Sequence, residues 1–95
     1  MKGYVVCVYT NIDDENALKY YAAKAREAVE KYKGIFLVRG GKKIALEGDE
    51  SPRTVVIEFS SFEIAKNFYN SKEYQEAKSI LKGKVVRQYQ IVEGS

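Results

Sequence analysis

The sequence predicts an α+β domain of order β-α-β-β-α-β, a four-stranded antiparallel sheet with its helices on one face. Three observations point there. The chain opens on a β-branched and aromatic segment, Tyr4-Val5-Val6-Cys7-Val8-Tyr9-Thr10; a long apolar stripe of helical period runs from Leu18; and the second half sets strand-like segments on either side of another helical stretch. Ninety-five residues, 45% apolar and 31% charged with a single Pro, suffice for one core, so residues 1–95 are expected to form one domain.

The first strand is expected over about residues 3–10. Asp14 then caps a helix with Glu15 in its first turn, where negative charge suits the macrodipole, and Leu18, Tyr21, Ala22, Ala25, Ala28, Val29 and Tyr32 form its apolar stripe. Gly34 is expected to supply the left-handed residue that ends it. Residues 35–39 read as a second strand, Gly40-Gly41 as a bulge or bend, and residues 42–47 as its curled continuation. The turn-forming residues 48–52 lead to a third strand at 54–59. Ser60-Ser61-Phe62-Glu63 has the S-x-x-E spacing of a capping box, opening a helix with Phe62, Ala65 and Tyr69 on one side. Asn70-Ser71 breaks that helix, and Ser71 caps a further short one bearing Tyr74, Ala77 and Leu81, which stops at Gly83 before a last strand over about residues 84–93.

Strand alternation predicts a partner. With both helices on one side of the sheet, the other side of a solitary protein is polar. Here the first strand offers Val5, Cys7 and Tyr9 on one face and Tyr4, Val6 and Val8 on the other. In the second, Phe36 and Val38 are expected to oppose Ile35 and Leu37; in the third, Val55, Ile57 and Phe59 oppose Val56, flanked by Thr54 and Glu58. In the last, Gln88 and Gln90 oppose Tyr89 and Ile91. At about 25 cal/mol per Å² of apolar surface, a wet second face forgoes several kcal/mol. Covering it with a second copy, sheet against sheet, gives a homodimer; the alternative is a long hairpin between the second and third strands folded back over its own sheet.

Much chemistry is excluded by composition. With no His and one Cys there is no imidazole acid/base, no triad, no internal disulfide and no His-based metal site, and nothing marks haem or flavin use, so no cofactor is expected. The longest apolar run, Tyr4 to Tyr9, is far below the roughly 20 residues of a membrane helix, and Met1-Lys2-Gly3 shows no signal-peptide core. A cytoplasmic location and no membrane partner are expected. Nucleic acid is not expected either: a net charge of +3 gives no strong footprint, and Lys33-Gly34-Ile35-Phe36 only brushes the RNA-recognition pattern and precedes the wrong strand. Gly40-Gly41 is no phosphate-binding loop, because it opens no helix.

Within the remaining chemistry, Glu58 stands in an otherwise apolar strand, where a carboxylate needs a partner, and Arg39 at the end of the second strand is its expected one. The two make either a structural ion pair or the polar spot of a small-molecule pocket. Among eight tyrosines, Tyr4, Tyr69, Tyr74 and Tyr89 are placed to reach a cavity or the seam between helix and sheet, where packing alone also explains them. Cys7, mid-strand and without a base, reads as a buried inert thiol.

The string Phe36-Leu37-Val38-Arg39-Gly40-Gly41, followed by Glu47-Gly48, Pro52, Val56-Ile57-Glu58-Phe59, Phe68-Tyr69-Asn70-Ser71, Glu73-Tyr74-Gln75 and Ile91-Val92-Glu93-Gly94, resembles the domain-of-unknown-function 1330 family over nearly the whole chain. The resemblance implies a ferredoxin-like fold in the dimeric α+β barrel superfamily, which includes cofactor-independent monooxygenases, muconolactone isomerases and haem-binding chlorite dismutase-like enzymes. It implies no settled activity for the family itself, and it makes a cleft between sheet and dimer partner the place for a ligand. By motif match it singles out Arg39, Gly40, Gly41, Glu47, Pro52, Tyr69, Ser71 and Tyr74. Three features depart from the family pattern: Glu50 stands where a Trp often follows the Glu-Gly-Asp segment; the spacing from Pro52 to the third strand is one residue shorter, which leaves Arg53 without a firm counterpart; and Leu81, beside Lys82, stands where an Arg usually lies late in the last helix.

The expected function is therefore that of a cytoplasmic homodimer holding a small organic molecule, with or without transforming it, among Arg39, Glu58, Glu47, Tyr69, Ser71 and Tyr74. The rival is a non-catalytic structural or interaction module with no small-molecule ligand. A pocket of about 300 Å³ or more favours the first, a side-chain-filled interior the second.

Overall fold

A computed structural model describes every residue from Met1 to Ser95. Its elements follow in the order β1 (Gly3–Ile12), α1 (Glu15–Lys31), β2 (Ile35–Arg39), β3 (Arg53–Phe59), α2 (Phe62–Asn70), α3 (Lys72–Ile80) and β4 (Val85–Glu93). The sheet order is β2-β3-β1-β4 with every pairing antiparallel, which is the ferredoxin-like arrangement, its second helical segment divided in two. Val5, Cys7 and Tyr9 of β1 and Ile57 and Phe59 of β3 join α1, α2 and α3 in one core, where Phe68 and Tyr74 are fully buried and their rings stand 4.7 Å apart. No helix is long and apolar enough to cross a membrane.

Local chemistry sets the helix ends. The Asp14 carboxylate accepts from the Ala17 N–H at 2.9 Å, as expected. The expected left-handed Gly34 is instead Lys33, with φ 58°. Lys33 N–H donates to Glu30 O and Gly34 N–H to Val29 O, the paired bonds of a Schellman ending in which Lys33 takes the left-handed position. Gly34 is needed for space: a Cβ there would lie 2.7 Å from the Phe59 ring and 2.9 Å from Val29. The cap of α2 also moves by one residue from the S-x-x-E reading, since Ser61 accepts from Ile64 N–H. Ser71 divides α2 from α3 as expected, its hydroxyl accepting from Tyr74 N–H at 3.1 Å and donating to Phe68 O at 2.6 Å.

The β2 region differs most from expectation. Gly40 and Gly41, both at positive φ, end the strand rather than bend it, and residues 42–47 are exposed loop, not a strand continuation. The irregularity lies earlier: Phe36 is opposite Ile57 while Val38 is opposite Val56, so Phe36 and Val38 occupy different faces and Arg39, opposite Val55, lies on the helix side. The open face thus carries Tyr4, Val6, Val8, Ile35, Val38, Val56 and Val92, and the chain does not roof it. Ile35 remains 56% exposed and residues 41–50 project into solvent.

Replacing Lys33 by Gly should raise stability by up to about 1 kcal/mol, because Gly takes the left-handed position without a Cβ penalty. Gly34→Ala should lower it by about 1–3 kcal/mol through overpacking against Phe59. Denaturant midpoints check both; a Gly34→Ala protein as stable as the parent would contradict the contact.

Candidate functional site

The register of β1 with its two neighbours brings Arg53 and Arg87, both half-buried, to the helix side of the sheet, and the β2–β3 pairing adds Arg39 at its exposed margin. Tyr9 has Arg53 opposite it on β3 and Arg87 opposite it on β4, while the next row of the same face runs Arg39, Val55, Cys7, Tyr89. These side chains, with apolar residues of β1, β3 and α1, enclose a cleft between the sheet and α1 of about 30 Å³, room for one or two water-sized groups. Three of the chain's four arginines line it, and no Asp or Glu does. None of the three makes a salt bridge, whereas the fourth, Arg26, pairs with Glu30 on the outside of α1.

Arg87 is the hub. Its Nη1 donates to the phenol oxygens of Tyr9 at 3.1 Å and Tyr21 at 3.2 Å, with Cys7 Sγ at 3.8 Å, and its Nη2 donates to Tyr74 at 3.0 Å. The Tyr21 and Tyr74 hydroxyls are themselves 2.7 Å apart. The guanidinium carbon also stands 4.8 Å from the centre of the Tyr89 ring. A guanidinium has five N–H groups, so Nε–H and one Nη2–H are left without a protein acceptor. Arg53 is held by another route: its guanidinium reaches over Gly40, where a Cβ would come within 2.7 Å of it. Arg39 stacks on the Phe36 ring at 4.2 Å.

Burial fixes the protonation states. It pushes the Tyr9, Tyr21, Tyr74 and Tyr89 phenols and the Cys7 thiol above their ordinary pKa values, so all five stay protonated at neutral pH. Arg87 stays charged: burial opposes its cation, but the Tyr21 and Tyr74 oxygens outweigh it and raise an already high pKa. The cluster therefore holds a positive charge, neutral donors and no anion. The buried Tyr89 hydroxyl makes no well-formed hydrogen bond, its interaction being with the neighbouring Tyr74 hydroxyl.

On the other side of Arg87 and Tyr89 lies an open groove of about 730 Å³ between α3 and the start of β4. Tyr69, Lys78 and Lys82 line it with those two residues, and again no carboxylate does. Lys78 donates to the Tyr69 hydroxyl at 3.2 Å, and the Tyr69 and Tyr89 rings stand 5.2 Å apart.

The structure divides the residues expected to form the site. Tyr74 lies at the centre of the cluster and Arg39 at the cleft wall; Tyr69 belongs to the groove. Ser71 caps α3 and so positions Tyr74 rather than facing the cleft. Glu47 is exposed in the loop after β2 and lines neither space. Glu58 does not meet Arg39: the register puts it on the open face, where it accepts from Tyr4 Oη at 3.1 Å and lies 3.8 Å from Lys2 Nζ. The cleft itself lies on the helix side of the sheet, not the side where a sheet-to-sheet partner would sit. The sequence marks Arg53 only as a position without a firm family counterpart and does not mark Arg87, although continuing the Tyr89–Ile91 alternation two residues back places Arg87 on the inward face.

Removing the hydroxyl by Tyr89→Phe should change stability by less than about 1 kcal/mol, since it makes no well-formed hydrogen bond. Tyr74→Phe, which strips an acceptor from Arg87, should cost about 1–3 kcal/mol. Thermal or denaturant unfolding distinguishes them; equal losses would show that Tyr89 is hydrogen-bonded in solution.

Comparison with solved structures finds the same fold at low sequence identity. A protein of unknown function from Rhodopseudomonas palustris superposes with a TM-score of 0.81 at 12% identity, covering 99% of this chain and 82% of that one. A dimeric ferredoxin-like protein of unknown function from Jannaschia sp. CCS1 gives 0.73 at 10% identity, over 99% and 100% of the two chains. An EthD family protein from Bacillus halodurans C-125 gives 0.64 at 11% identity over the full length of both. No curated protein sequence matches the chain. The domain-of-unknown-function family DUF1330 matches residues 2–95, and with its motif segments folded into this sheet and these helices, the chain belongs to that family.

Proposed function

We propose that the protein is a cytoplasmic homodimer in which each subunit binds a small organic anion through Arg87. The observation that carries this reading is the set of three arginines, none ion-paired, lining an apolar cleft with no carboxylate in it. The phenol oxygens around Arg87 satisfy part of its hydrogen-bonding capacity but bring no negative charge. An incoming carboxylate or similar oxyanion supplies a negative charge and an acceptor for the N–H groups left on Arg87. Every phenol around it is kept neutral by burial and none is poised as a base, so the reading is one of anion binding.

Dimerisation is supported by the apolar open face and by solved neighbours described as dimeric ferredoxin-like proteins. A stable interface buries about 800 Å² on each partner. A second reading, that the arginine–tyrosine cluster only stabilises the fold, is favoured by the 30 Å³ volume of the cleft.

Calorimetric titration of benzoate separates the two. Wild type should bind it, Arg87→Gln should weaken it at least tenfold, and Arg26→Gln should leave it unchanged. A wild-type protein that binds no organic anion, with an Arg87→Gln variant that merely melts earlier, would establish the structural reading instead. In sedimentation velocity at micromolar concentration the wild type should run as two subunits and Val56→Lys as one; a wild-type monomer would overturn the dimer.

A further inference from the structure

The geometry points to a ligand with two acidic groups, one held by Arg87 and the other by Lys78 and Lys82 across the α3–β4 groove. This rests on the reading of Arg87 as an anion site and specifies what that site takes. The cleft holds about 30 Å³ and cannot contain the body of an organic acid, whereas the groove that shares Arg87 and Tyr89 with it offers about 730 Å³. The body of the ligand therefore lies in the groove, and only its anionic head reaches the guanidinium.

Charge and shape in the groove are complementary to such a molecule. Arg87, Lys78 and Lys82 supply three positive charges to one lined space, and no Asp or Glu lines it. Neither lysine takes part in a salt bridge, although six other pairs form across the molecule. Lys78 is half-buried, and its ammonium is placed by the Tyr69 hydroxyl and stands 5.3 Å from the Tyr69 ring, so it is held rather than free to sweep solvent. Two of its three donors remain for an anion. The Tyr69 and Tyr89 rings, 5.2 Å apart, line the same groove. They form an apolar and aromatic wall that suits a flat or aliphatic spacer better than a second polar one.

Titrating benzoate and terephthalate in parallel, at low ionic strength where exposed lysines act most strongly, tests this directly. Terephthalate should bind wild type at least tenfold tighter than benzoate. The double variant Lys78→Gln/Lys82→Gln should abolish that preference while leaving benzoate affinity within twofold, and both changes lie outside the buried core. Equal affinity for the two acids, or a preference that survives the double variant, would overturn the two-ended ligand and leave the Arg87 site standing. Binding of neither acid would remove the Arg87 site and this inference together.

Discussion

Tyr9 has a guanidinium opposite it on each neighbouring strand, and that register is the constraint on which the interior depends. Antiparallel pairing of β1 with β3 and β4 sends every second side chain beneath the helices, so once Val5 and Cys7 are buried, Arg53 and Arg87 must follow them inward. A one-residue slip would carry both arginines to the open face and place Thr54 and Gln88 below α1. The buried charge is thus tied to the same register that builds the hydrophobic core, and the tyrosines that accept from Arg87 come from β1, α1 and α3. Strand and helix packing together make the polar cluster.

The two faces of the sheet consequently have different work. The helix face combines close-packed aromatics with a localised cation, its phenols kept neutral by burial, and ends at a groove whose polar groups are all cationic or neutral. On the open face the one acidic residue among the apolar ones, Glu58, is already served by Tyr4 and Lys2. Its charge needs no partner from a second chain, so an apolar surface of this kind is compatible with close sheet-to-sheet contact around a satisfied carboxylate.

Arg87 and Tyr89 keep unused hydrogen-bonding capacity. The guanidinium has phenol oxygens but no anion beside it, and the Tyr89 hydroxyl makes no well-formed hydrogen bond. An acceptor carrying negative charge would use the N–H groups left on Arg87. By contrast, the other polar groups named in the sequence are settled: Ser71 spends its hydroxyl on a helix junction, and Glu58 has two partners.

Local sequence determined the elements and most of their ends. The β-branched runs, the helical stripe from Leu18, Asp14 as cap and Ser71 as a break all act over a few residues and are visible as spacing. Alternation on β1 and β3 likewise revealed an open face too apolar for a solitary sheet. What tertiary structure decided were quantities set by more than one segment. Gly34 stays small because the Phe59 ring packs against it, which leaves Lys33 to adopt the left-handed turn. The irregularity at Leu37 turned Val38 outward and Arg39 inward, and so separated Arg39 from Glu58. Arg87, an unremarkable residue beside a glutamine in the chain, became the centre of the site because three tyrosines distant in sequence converge on it and no carboxylate does. Periodicity reports which way a side chain points; whether its charge is answered depends on what other segments bring to the same place.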